Sequence, residues 1–163
     1  MSRRFRSIRI AGIATLSALS ALLVPAGREA CAQQVTLSNT HALDFGRIVA
    51  SGAGTVMLIP GTTRPQGSGV IVLNSASAGP ATFTVGGNAG KKSALISFQS
   101  TSIQLSGAGD TMTVDTFVSS PAANTLVAPS AAATVSVGAT LHVKAAQKPG
   151  TYSGSFSLIV NFQ

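Results

Sequence analysis

Between residues 33 and 163, the carboxylates and histidines that could do acid–base work or hold a metal are few: Asp44, Asp110, Asp115, His41 and His142. General acid and base chemistry needs carboxylates or a histidine converging on one point. Asp110 and Asp115 are an odd number of residues apart in one alternating run, so an extended chain sends them to opposite faces and they form no dyad. His41 and Asp44 read as an exposed pair at a turn and strand start. His142 alternates with Leu141 and Val143, which places it on a polar face. With no cysteine in this stretch and no ligand-spaced companion for either histidine, no metal site is expected. There is no Gly-x-Ser-x-Gly nucleophile elbow. The glycine-rich GSG and SGAG segments open strands and lack the helix and Lys-Ser or Lys-Thr of a phosphate loop. No catalytic residue and no cofactor is assigned, and the chain reads as a non-enzyme.

Sugar recognition commonly uses exposed aromatic platforms. The whole chain has no tryptophan and one tyrosine, and Tyr152 and the six phenylalanines of residues 33–163 mostly fall on apolar strand faces, so that platform is missing.

Residues 1–32 are of a different kind. Arg3, Arg4, Arg6 and Arg9 precede an uncharged apolar run from Ile10 to Val24, and Ala30-Cys31-Ala32 supplies small residues where a signal peptidase reads. The run is shorter than the ~20 apolar residues of a spanning helix, and Arg28 and Glu29 follow it. A signal peptide cleaved between Ala32 and Gln33 is the expectation, leaving a domain of residues 33–163 with no membrane span. The formal charge of +7 falls with it. Six basic and three acidic side chains remain, a scattered net +3 that gives no basic patch for nucleic acid. The one cysteine leaves too, so the domain holds together without a disulfide.

The remaining chain is punctuated by Gly, Pro, Asn and Ser clusters between short β-branched or alternating runs. These are QVTLS, LDFGRI, GTVMLI, SGVIVL, ATFTV, ALISF, SIQL, TMTVDTFV, TVSV, ATLHV and a terminal strand. No helical period occurs, and the pattern predicts a single all-β sandwich. PAANTLVAPSAAA has no readable period; it reads as a surface loop, with an edge strand as the alternative. Lys91-Lys92 marks a hairpin tip.

The ending, PGTYSGSFSLIVNFQ, alternates strictly: Tyr152, Gly154, Phe156, Leu158, Val160 and Phe162 share one face, while Thr151 through Asn161 at odd numbers share the other. Only an extended strand has a period of two. One long amphipathic strand over residues 152–162 is predicted, able to pair with a further strand.

LDFGRIV, GTVMLIPGTTR with GSGVIVL, PATFTVGG and VSVGATLHVKAAQKPGTYSGSFSLIVNFQ resemble the bacterial secreted family catalogued as domain of unknown function 4402. More distantly, the two ends resemble spore-coat-U and chaperone-usher pilin subunits. Those subunits carry a glycine fourteenth from the end and a penultimate aromatic residue, the positions of Gly150 and Phe162 here. The resemblance implies an immunoglobulin-like (pilin-like) sandwich and a fimbrial-type structural or adhesion-related role at the periplasm, cell surface or outside the cell. It also implies self-association or association with fimbrial-type subunits by strand addition along Gly150, Tyr152, Phe156, Leu158, Val160 and Phe162. The disulfide usual in pilin subunits is absent, and residues 33–40 are short for a donor extension. A self-sufficient monomeric binding domain is the alternative. Amino-terminal sequencing of the exported form should begin at Gln33, and an intact Met1 on a membrane-bound protein would overturn the cleavage assignment.

Overall fold

The computed structural model describes residues 35–87, 94–123, 126–127 and 133–162. The expected leader, its Ala30, Ala32 and Gln33 junction, and the Lys91-Lys92 tip lie outside these. The described residues are all β, and no helix among them is long and apolar enough to cross a membrane.

The spine is β11 (Ala133–Val143), where Val135, Val137, Leu141 and Val143 are buried and His142 is exposed, as the alternation predicts. TVSV and ATLHV, which read as separate runs, form this one strand. Gly138 at their junction explains the continuity. On one edge, residues 133–137 pair with β6 (Ala81–Gly87) and residues 140–143 with β3 (Gly54–Met57), so the edge changes partners at Gly138. A Cβ there would collide with the Leu58 carbonyl oxygen, while the Leu58 N–H donates to Ala139 O at 2.9 Å. Only glycine allows that approach.

The other edge pairs with β9 (Asp110–Ser120), which pairs in turn with β8 (Ser102–Gly107). β9 carries one extra residue opposite Gly138–Thr140, with Thr116 at φ 52°. This bulge shifts the phase of the strand, so Val114 and Phe117 both point inward although they are three apart. β1 (Val35–His41) completes this sheet on β6, and β4 (Gln66–Ser68) on β3.

The facing sheet is β10 (Leu126–Val127), β7 (Ala94–Phe98) and β12 (Leu158–Phe162), all antiparallel, with β7 central. Leu126–Val127 thus realises the edge-strand alternative for PAANTLVAPSAAA; much of the rest of that segment lies outside the described residues. β2 (Arg47–Val49) and β5 (Ile71–Leu73) form a separate ribbon. SGVIVL is therefore not one strand. It breaks after Ser68, and the two parts join different sheets.

The largest correction concerns the ending. Of the face predicted to be apolar, Tyr152, Phe156, Leu158 and Val160 are half-buried while Gly154 is exposed, and the odd-numbered residues 151–161 are exposed as predicted, but the segment is not one strand. Ser153 makes a lone bridge to Ser106 on β8, and regular pairing resumes at Leu158, opposite Phe98 on β7. The chain crosses from one sheet to the other in between. Alternation reports which way side chains point; it is blind to which neighbour the backbone bonds.

Two clusters fill the sandwich. Val56, Leu58, Val114, Leu141 and Val143 gather with Phe45, while Ala81, Val85, Ile96, Val135 and Val137 gather beneath β7 and β12. Phe156 stands between elements, with its ring 6.0 Å from Phe83 and 5.3 Å from Phe117, and Phe117 lies 5.6 Å from Phe98. Phe156→Ala removes two ring contacts from a half-buried site and should cost roughly 2–3 kcal/mol, below the ~3–5 of a fully enclosed ring. Urea unfolding checks this, and a loss within ~0.5 kcal/mol, that of an ordinary surface change, would contradict the packing.

Candidate functional site

A cleft of about 900 Å³ opens between the loop after β1 and the segment leading into β12. The first wall is set by Asp44. Its N–H donates to Gly79 O at 3.0 Å and its carbonyl accepts from the Gly79 N–H at 2.8 Å, while Oδ1 accepts from the Gly46 N–H at 2.7 Å. Gly46 sits at φ +75°, where a side chain is strained. The LDFG turn thereby holds Phe45 inward, 8% exposed, with Leu43 and Ile48 beside it. Ile103, Leu105, Met112 and Val114 from β8 and β9 line the cleft as well, so the lining is largely apolar.

The second wall is Gly150–Phe156, fixed by a corner the sequence did not reveal. Tyr152 Oη donates to the Lys148 carbonyl at 2.7 Å and accepts from Gln147 Nε2 at 2.9 Å. The same nitrogen donates to Asp110 Oδ2 at 2.9 Å, and Lys144 Nζ reaches Asp110 Oδ1 at 3.5 Å. Gln147 is buried, and its Oε1 is without a partner. A tyrosine bonding back to the chain a few residues upstream is the corner that precedes strand F in immunoglobulin-type sandwiches. Gly150 packs so closely on Ala108 that a Cβ there would stand 2.5 Å from the alanine's own.

The six residues expected to form a strand-pairing face divide. Gly150, Tyr152 and Phe156 line the cleft. Leu158 and Val160 point inward against the second cluster, under β12. Phe162 is placed by its backbone alone, opposite Ala94. Along β12 one backbone edge is paired with β7, and among the described residues the other has no partner strand. The opposite cleft wall was missed as part of the site. LDFG carried the signal for it: a positive-φ glycine holding apolar residues on both sides of a turn.

The titratable groups lie elsewhere. His41 Nδ1 donates to the Pro80 carbonyl at 3.1 Å, so His41 and Asp44 each have a separate partner. His142 Nε2 lies 2.9 Å from Asp115 Oδ1 on the exposed face of the large sheet, a pairing that alternation alone could not show because it joins two strands. The hydrogen bond from His142 holds the Asp115 carboxyl below its ordinary value, with burial opposing and the Thr116 hydroxyl adding to the effect. Asp110 is lowered first by the Thr111 N–H, with burial opposing and Lys144 helping.

The ladder order β1-β6-β11-β9 in one sheet and β7-β12 in the other is the neighbour order A-B-E-D and C-F of an immunoglobulin-type sandwich. This places the chain among antiparallel β-sandwich domains. The chain belongs to the family described as domain of unknown function 4402, which matches residues 35–162. No curated protein and no solved structure matches it.

Because the folded-state value of Asp115 is depressed, its contribution to stability is present above the ordinary carboxylate range and is lost as pH falls through the folded value. Asp115→Asn should therefore flatten the acid limb of the stability curve below about pH 4 and change neutral stability by less than ~1 kcal/mol, as for exposed pairs. Urea titrations across pH check this; an unchanged acid limb would contradict it.

Proposed function

We propose that this is an exported, non-enzymatic structural or adhesion-related subunit that associates by accepting an extended strand from a partner. The observation that carries the reading is the coincidence of a β12 backbone edge without a partner strand among the described residues with an apolar cleft running up to Phe156, two residues before that strand. An added strand would supply backbone partners to β12 and, with every second side chain, cover Leu43, Phe45 and Phe156. In the immunoglobulin neighbour order, the position on that side of β12 belongs to strand G. The amino-terminal signal pattern and the pilin-like placing of Gly150 and Phe162 support export and assembly in the same sense.

The test uses residues 33–163 in sedimentation velocity, alone and with a labelled peptide of alternating apolar and polar residues. Concentration-dependent association, or saturable binding of the peptide but not of a scrambled version, is expected. Val160→Lys puts a charge on the inward face and should lose both fold and binding, whereas Asn161→Lys, on the exposed face, should leave the fold intact. A monomer at all concentrations that ignores the peptide would favour the self-sufficient sandwich instead.

A further inference from the structure

A second concavity, of about 530 Å³, lies on the outward face of the large sheet and shares no residue with the cleft. Its floor is a cross-strand row: His41 on β1 is paired with Thr82 on β6, which is paired with Ser136 on β11. Residues paired this way stand ~5 Å apart on one face, so three polar side chains present themselves together. The walls are two internally bonded turns. In one, Thr62 donates to the Ile59 carbonyl from both its N–H, at 3.1 Å, and its hydroxyl, at 2.7 Å. In the other, the Ala78 N–H donates to Ser75 O at 3.3 Å, and the two-way Asp44–Gly79 bridge anchors the end of that turn. Arg64 comes from the first turn and Asn74 from the second.

The chemistry of this lining is one-sided. It holds a guanidinium, a histidine, an amide and several hydroxyls, with no carboxylate and no Phe, Tyr or Trp ring. Arg64 makes no ion pair among the described residues. With Nδ1 of His41 committed to the Pro80 carbonyl, its Nε2 is left for another partner. A broad ring to stack a neutral sugar is lacking, so affinity has to come from a charge-assisted bond, and guanidinium matches carboxylate geometry in two parallel hydrogen bonds. The hydroxyls and amide suit a ligand that carries hydroxyls of its own.

We propose that this recess binds an acidic monosaccharide unit, its carboxylate on Arg64 and its hydroxyls on the Thr82, Ser136 and Asn74 side of the floor. The site is independent of strand acceptance.

Amide-resolved NMR titration of residues 33–163 with galacturonate, galactose and acetate tests it. Galacturonate should shift the amides of residues 61–64, 74–79 and 81–82 saturably in the millimolar range, galactose and acetate each at least about fivefold more weakly, since each supplies only part of the chemistry. Arg64→Gln should weaken galacturonate by about tenfold, the scale of a lost charge-assisted bond. Lys148→Gln, which removes the same charge from a side chain outside the recess lining and leaves its main-chain carbonyl in place, should not. Equal binding of acetate, an unaltered Arg64→Gln affinity, shifts located elsewhere, or no saturable shift with galacturonate would each overturn the proposal.

Discussion

A β-strand has two hydrogen-bonding edges, and a buried or half-buried sandwich strand is stable only when its polar backbone is satisfied. β12 meets that requirement on one side, through β7. The other side governs the surrounding structure, because the apolar cleft is in the same neighbourhood and the chain approaching it is tethered rather than paired. Ser153 makes a single bridge to β8, and Tyr152 is held through its hydroxyl instead of a ladder. The wall leading to this edge is thus held by point contacts, and among the described residues the edge itself has no partner strand.

Those contacts come from distant parts of the chain. Asp110 at the start of β9, Gln147 after β11 and Tyr152 before β12 meet in one network, so three segments fix the corner. The opposite wall is held by Asp44 and Gly79, and the floor comes from β8 and β9. Phe156 joins the cleft to the interior through Phe83 and Phe117. An occupant of the cleft would therefore touch residues that also hold the two sheets together, and its binding would add to the stability of the sandwich by mass action.

Strand faces were legible in the sequence because period-two alternation is a local property. Leu141, Val143 and His142 fell where expected, as did Tyr152, Phe156, Leu158 and Val160 and the odd-numbered residues between them, although Gly154 is exposed. Pairing was not legible. The break between Ser153 and Leu158, the union of TVSV and ATLHV across Gly138, and the division of SGVIVL between two sheets are decisions made by distant partners. The same reason hides the His142–Asp115 pair and the Gln147–Asp110–Tyr152 corner, whose members are brought together by register. Of the candidate site, one wall could be read from the PGTYSG ending; the other, LDFG, was visible as a motif but not as the opposite side of a cleft.

Hydrogen exchange at the β12 amides tests the open edge most directly. In the isolated domain, amides of Leu158–Phe162 that face β7 should be protected and those between them should exchange at rates near those of an exposed chain. On adding a partner strand, the fast set should become slow. Uniform protection of all five amides in the isolated monomer would mean that the edge is already satisfied, and would contradict strand acceptance at β12.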